Sequence, residues 1–244
     1  MPRGGHTDRV RSGDDIEAAL REQADPLRAE QEKRYLKSDL RHLGVGVPAV
    51  RKIAVATATG LERDETLALA AELWQVPVHE CRVVAIELLI RNTPLLGADD
   101  LGVAERLIRG SHTWAYVDSL AINVVGGLVT RYPRLAVTLD RWVEDDDFWI
   151  RRTALLAQLP GIRTGEADLG RLSAYGDALI GEREFFIRKA LGWVLRELAK
   201  SDPAWAAGWV RDRIAMISGV TIREAVRHLP ESDRDALLTA YRAR

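Results

Sequence analysis

Five stretches of this chain repeat one pattern at a nearly constant interval, and that recurrence constrains the fold more than any other feature. The blocks HECRVVAIELL from His79, TWAYVDSLAIN from Thr113, FWIRRTALLAQL from Phe148, FFIRKALGWVL from Phe185 and VTIREAVRHL from Val220 each open on a short entry and continue with helical periodicity. One equivalent slot in them holds Val83, Asp118, Arg152, Lys189 and Glu224, spaced 35, 34, 37 and 35 residues apart. Apolar residues three and four apart, such as Leu67, Ala70, Leu73 and Trp74, mark one buried helix face, and no sustained strand-type alternation appears. A period near this length in a helical chain predicts an all-α solenoid of stacked helix pairs, although the period alone does not separate HEAT-like repeats from other helical ones.

Breaks at Pro48, Pro77, Pro94, Gly97, Pro133, Pro160, Gly176, Pro203 and Pro230 cut the chain into helices of moderate length joined by short loops. At 244 residues the chain is long enough for one extended domain or two compact ones. We expect a tail over residues 1–15, which has no apolar signal-peptide core, followed by a single domain over 16–244. The lone Cys81 cannot form an internal disulfide, and no apolar run reaches membrane-spanning length, so a monomer in a reducing cytoplasm is the expectation.

A formal net charge of −1 argues at first against a polyanionic partner. Distribution matters more than the sum. Arg183, Arg188, Lys189, Arg196 and Lys200 cluster between Gly181 and Lys200, and Arg211, Arg213, Arg223 and Arg227 follow, whereas acids gather elsewhere, as in Glu144-Asp145-Asp146-Asp147. Because Arg152 and Lys189 share the slot of Asp118, the repeat predicts a surface basic enough for a polyanion, with one carboxylate placed on it. Arg188 and Arg196 have a plainer reading as partners of Glu184 and Glu197 on a solvated face.

Within the second block Trp114 and Asp118 lie four residues apart, so an aromatic plane and a carboxylate share one helix face. The five histidines, His6, His42, His79, His112 and His228, are scattered without ligand spacing, so no metal is expected. There is no phosphate-binding glycine loop and no nucleophile elbow, and no cofactor is indicated.

These residues resemble the AlkD-type DNA glycosylases, all-helical HEAT-like proteins that remove alkylated purines. The resemblance runs from about Arg34 to the C-terminus. It rests on Arg34-Tyr35-Leu36-Lys37 with Leu43-Gly44-Val45, Glu72-Leu73-Trp74, Trp114 with Val117-Asp118-Ser119, Phe148-Trp149-Ile150-Arg151-Arg152, and the long block from Phe185 to Glu197. It implies that Asp118 is the catalytic carboxylate and that Trp114 and Trp193 cradle the deoxyribose. It further implies that Arg152 contacts DNA by the site and that Tyr35 lies beside the lesion. Arg188, Lys189 and Arg223 are the further candidates for DNA contact. The often doubled aromatic before the aspartate is a single Trp114 here, which alters packing more than chemistry.

The implied reaction suits the residues. Alkylation at N3 or N7 makes the purine cationic and weakens its glycosidic bond, so the demand falls on the sugar, which turns oxocarbenium-like and is stabilised by a fixed carboxylate. The resemblance also implies that double-stranded DNA is the partner and that the lesion is not enclosed in a pocket. Bulky N3-adenine adducts of the yatakemycin type would then be tolerated, with a self-resistance role beside general repair. The alternative from another class is a non-catalytic helical-repeat protein that binds DNA or a protein.

Overall fold

The computed structural model describes residues 12–244, in which helices joined by short loops are the regular structure. Among the described residues no strand forms; a single isolated bridge pairs Arg41 with Val78. Most of the expected tail, residues 1–11, lies outside the described residues, but its last residues do not behave as a tail. Ser12 Oγ accepts from the Asp15 N–H, and Asp14 and Asp15 occupy the first turn of helix α1 (Gly13–Arg21). A hydroxyl cap followed by acids is a helix start, and Ile16 and Leu20, both fully buried, anchor it. The chain divides into two compact units between Gly97 and Ala98.

The first unit holds α1, α2 (Pro26–Leu36), α3 (Val47–Ala58), α4 (Arg63–Gln75) and α5 (His79–Arg91). Leu69 and Leu73 of α4 and Val84, Ala85, Leu88 and Leu89 of α5 make its core, at the helical spacing legible in the sequence. Cys81 is buried there, and burial pushes its thiol up to about 12, so it acts as a small apolar residue. Helix α2 differs from the others in burying none of its residues. It is held by the loop that follows it: the Asp25 N–H donates to the Leu43 carbonyl at 2.9 Å, and Gly44, at φ +77°, passes against the start of α2. A Cβ on Gly44 would lie 2.1 Å from the Asp25 carbonyl oxygen, so both the conformation and the approach require glycine.

The second unit runs from α6 (Leu101–Arg109) through α7 (Trp114–Ser119), α8 (Gly126–Arg131), α9 (Ala136–Trp142), α10 (Phe148–Leu156), α11 (Leu159–Thr164), α12 (Leu169–Leu179), α13 (Phe185–Leu198), α14 (Pro203–Asp212) and α15 (Gly219–Ala225) to α16 (Glu231–Arg242). Helices α7 and α8 are joined without a break by a π-helical stretch, Leu120–Val125, in which Leu120, Ala121, Val124 and Val125 are buried. Helix α10 packs against both α7 and α13, and α13 against α15.

The repeat is written into the hydrogen bonds. Arg152 reaches Asp118 across 34 residues, Tyr175 reaches Asp140 across 35, Lys189 reaches Glu224 across 35, and Arg109 reaches Asp145 across 36. In the first unit Arg51 meets Glu87 across 36 and the Leu43 N–H meets Glu80 across 37. Equivalent positions of successive helix pairs therefore lie side by side, as a stacked helical repeat requires.

Candidate functional site

Helix α7 begins where the chain turns sharply. His112 is exposed and sits at φ +50°, a left-handed conformation that costs a residue with a Cβ about 1–2 kcal/mol. Thr113 then caps the helix, its Oγ1 accepting from the Ala115 N–H at 3.4 Å, and the preceding Ser111 Oγ donates to the Leu107 carbonyl at 2.7 Å. Tyr116 and Val117 of this helix are buried. Trp114 and Asp118 are half-buried and lie one turn apart, directly before the π-helical stretch. Such stretches interrupt the regular hydrogen-bond ladder and occur often at functional sites.

Asp118 is gripped from α10. Arg152 donates from Nε to Asp118 Oδ1 at 2.7 Å and from Nη2 to Oδ2 at 2.8 Å, a bidentate pair that fixes the plane of the carboxylate. The remaining Nη1 donates to the Phe186 carbonyl on α13, and the guanidinium carbon lies 5.9 Å from the Phe186 ring centre. The Arg152 side chain is only 4% exposed and that of Asp118 14%, so the acid is the member of the pair that reaches the surface. Trp149 packs on Phe186 with ring centres 4.9 Å apart.

Arg152, expected to contact DNA, is buried, with three of its N–H donors on Asp118 and the Phe186 carbonyl. The slot itself is not a basic stripe around one acid. Lys189 donates to Glu224, so the four charged slot residues pair off as Asp118 with Arg152 and Lys189 with Glu224.

Glu224, on α15, was in view as a slot residue but was not read as part of the site. It is buried and takes Lys189 on one oxygen and Arg196 on the other, with Arg227 at 3.1 Å. Burial pushes the Glu224 carboxyl up, but these cations outweigh it and hold the group below its ordinary value. Three cations around one acid leave a surplus of positive charge, supplied by Arg196 and Arg227 from outside the slot. Gly192 permits the close approach of α13 and α15: a Cβ there would lie 2.6 Å from Glu224 Cβ and 2.7 Å from the Thr221 carbonyl.

Trp193 is half-buried and is no core aromatic; its neighbours Gly192 and Val194 are the buried ones. Spacings of three and seven residues put Phe186, Lys189, Trp193 and Arg196 on one face of α13, with Trp193 about 10 Å along the axis from Phe186. Arg188 turns back to donate to the Glu182 carbonyl at 2.7 Å, neither of the acids suggested by its sequence neighbourhood. Arg223 is exposed on α15, and Tyr35 is 73% exposed on α2 of the first unit. Phe186, whose carbonyl and ring both serve Arg152, was not legible as a site residue, because a backbone acceptor leaves no mark in side-chain chemistry.

The fold also assembles residues that looked scattered. His42 and His79 stack with ring centres 4.3 Å apart and planes within 7°, beside Glu32 and Glu80.

Residues 16–229 match the family model described as DNA alkylation repair enzyme. Among solved structures the chain is similar to a predicted DNA alkylation repair enzyme from Enterococcus faecalis, with a TM-score of 0.77 and 21% identity over 86% of this chain and 98% of that one. A second, the smu.31 protein of Streptococcus mutans, gives a TM-score of 0.60 and 16% identity over 86% of this chain and 100% of that one. At these identities the likeness speaks for the fold. No curated protein gives a significant sequence match.

Proposed function

Because the chain belongs to the DNA alkylation repair enzyme family, we propose that it is a DNA glycosylase that hydrolyses the N-glycosidic bond of cationic N3- or N7-alkylated purines in duplex DNA. The observation that carries this reading is the carboxylate of Asp118, held in both oxygens by a buried arginine and presented one helical turn from the half-buried Trp114. A surface acid with an ordinary solvating role needs no such grip, and a buried guanidinium with three committed donors holds this one in a single orientation.

As the glycosidic bond lengthens, its electron pair leaves with the base, which the positive charge of the alkylated ring already favours, and the sugar gains oxocarbenium character. The Asp118 carboxylate opposes that charge without reorganising, because Arg152 has fixed it beforehand. Water then adds to C1′ and passes its proton to the carboxylate and on to solvent, leaving an abasic site. The aromatic face of Trp114, and that of Trp193 if the sugar spans both, would add roughly 0.5–2 kcal/mol of attraction for the developing cation. Arg152 acts through Asp118 as a positioning residue.

Lys189, Arg196 and Arg227 suit the phosphate backbone, since their positive charge exceeds what Glu224 neutralises. Arg223, exposed on the same helix as Glu224, extends that surface. Bulky N3-adenine adducts of the yatakemycin type remain within this reading, because it invokes no enclosing base pocket.

The test is release of free base from duplex carrying N3- or N7-alkylpurine, run with the wild-type protein and with Asp118→Asn. The wild type should release base, and the variant should be slower by about a hundredfold or more, the usual effect of removing an aligned electrostatic group worth on the order of 3 kcal/mol. No release by the wild type sinks the proposal. Salt-sensitive binding indifferent to the substitution would favour a non-catalytic DNA-binding role.

A further inference from the structure

We infer that Glu32, His42 and Glu80 form a site for one divalent transition-metal cation, which clamps α2 onto the rest of the first unit. One ligand atom from each residue lies within 4.8 Å of the other two, and the set joins α2, the loop after it and the first turn of α5. Its residues are separated by ten and then thirty-eight positions, far from any ligand motif, so residue spacing does not mark the site.

The second observation is His42 itself. It is 8% exposed, and neither Nδ1 nor Nε2 has a hydrogen-bond partner among the described residues. A buried imidazole without a partner is costly, and coordination through one nitrogen would satisfy the donor that water cannot reach. The ring is not free to turn away. His79 stacks on it at 4.3 Å, and the backbone on either side is fixed, with the Arg41 N–H donating to the Pro77 carbonyl and the His79 N–H to the Arg41 carbonyl at 2.8 Å.

Glu80 is equally prepared. Its Oε1 accepts from the N–H groups of Leu43, Gly44 and Val45, at 3.0, 2.7 and 3.2 Å, whereas Oε2 accepts only from Leu43. The carboxylate is 1% exposed and no lysine or arginine among the described residues pairs with it, so a buried negative charge stands beside a buried neutral donor. Oriented backbone donors of this kind commonly hold metal-ligating carboxylates in place. Glu32 supplies the movable ligand. Arg28 engages its Oε1 at 2.6 Å, leaving the other oxygen, and its side chain is 26% exposed on a helix with no buried residue.

One imidazole nitrogen and two carboxylate oxygens suit zinc or a similar borderline cation better than magnesium or calcium, which prefer all-oxygen shells. Bond lengths of roughly 2.0–2.2 Å would bring the donors about 3–4 Å apart. The donors must therefore draw together from their present spread of up to 4.8 Å, and Glu32, partly exposed on α2, is the ligand with room to move. The consequence is structural: α2, which buries no side chain, would gain a bond to the core of its unit through Glu32.

The test uses the full chain stripped with a chelator and dialysed against zinc, with magnesium as the control. One equivalent of zinc should be retained, the unfolding temperature should rise, and amide hydrogen exchange across residues 26–36 should slow. His42→Ala and Glu32→Gln should each lose at least tenfold in zinc affinity together with the slowed exchange. Glu32→Gln is the milder of the two, since Glu32 is partly exposed, and it keeps the test decisive if His42→Ala, which removes a buried ring stacked on His79, lowers stability by itself. Retention of no zinc by the wild type, or equal retention by wild type and both variants, overturns the inference; so does an equal response to magnesium. None of these readings depends on base release.

Discussion

Two charged clusters in the second unit are built on the same slot of successive repeats, yet they face the surface with opposite signs. At Asp118 the cation is the buried partner, Arg152 at 4% exposure, and the acid comes outward. At Glu224 the acid is the buried partner, also at 4%, and Lys189 at 40% and Arg227 at 57% come outward. The ladder position is conserved by geometry; what changes is which member of the pair is under the surface. A single repeat scaffold can thus offer a carboxylate at one rung and cations at the next, the combination that suits the proposed substrate, a cationic lesion embedded in a polyanion.

The largest effect should come from neutralising the acid of the first rung. Asp118→Asn keeps the shape and one acceptor for Arg152 but removes the outward charge, and base release should fall about a hundredfold or more. Urea unfolding should show a loss of only about 1–3 kcal/mol, since Asn still meets part of the arginine. Arg152→Ala should be worse for folding, because it removes the buried member, along with the bond to the Phe186 carbonyl and the packing on the Phe186 ring. If Arg152→Ala retained both wild-type stability and base release, the inward–outward distinction between the rungs would fail.

Smaller but sharper is Gly192→Ala. The added methyl meets Glu224 Cβ and the Thr221 carbonyl at 2.6–2.7 Å, so α13 and α15 must separate, at about 1–3 kcal/mol. Thermal unfolding should report that loss. The second cluster should loosen with no alteration of the Asp118 pair, so DNA affinity should weaken more than the rate of base release at saturating substrate.

Lys189→Ala removes one outward cation and leaves Glu224 to Arg196 and Arg227. Losing one outward cation should weaken duplex binding severalfold at low salt and reduce the slope of log affinity against log salt by about 0.9, one phosphate's worth. An unchanged slope would mean that the surplus charge around Glu224 does not face DNA.

Much of the scaffold was legible beforehand, because burial repeats: Leu73, Val84 and Leu88 recur at helical spacing, and the slot spacing near 35 residues reappears as Arg152 to Asp118 and Lys189 to Glu224. The all-α repeat follows from that. Partner choice was less legible. The slot held Asp118, Arg152, Lys189 and Glu224 in view, but a one-dimensional reading sums their charges over a surface, whereas the stacked repeat brings Arg152 to Asp118 and Lys189 to Glu224 within hydrogen-bond reach. The start of α1 was misplaced for a local reason, since Ser12, Asp14 and Asp15 read as polar tail until Ile16 and Leu20 bury and make them a cap. Contacts that use the backbone, such as Arg152 on the Phe186 carbonyl and the N–H groups on Glu80, leave no trace in residue type.

The finest test titrates the second rung. Glu224 has a carboxyl held below its ordinary value of 4.5; burial works against this, and Lys189, Arg196 and Arg227 overcome it. A depressed value in the folded state means that the unfolded chain binds the proton first as pH falls. The charge cluster therefore contributes its full stability above the ordinary glutamate range, and that contribution fades as pH drops through 4.5 and on through the lower folded value. Wild type and Glu224→Gln should accordingly differ in unfolding free energy at neutral pH and converge in acid. A difference between the two proteins that stayed constant from pH 7 to pH 3 would mean that packing, and not the outward cations, is what Glu224 supplies to the second rung.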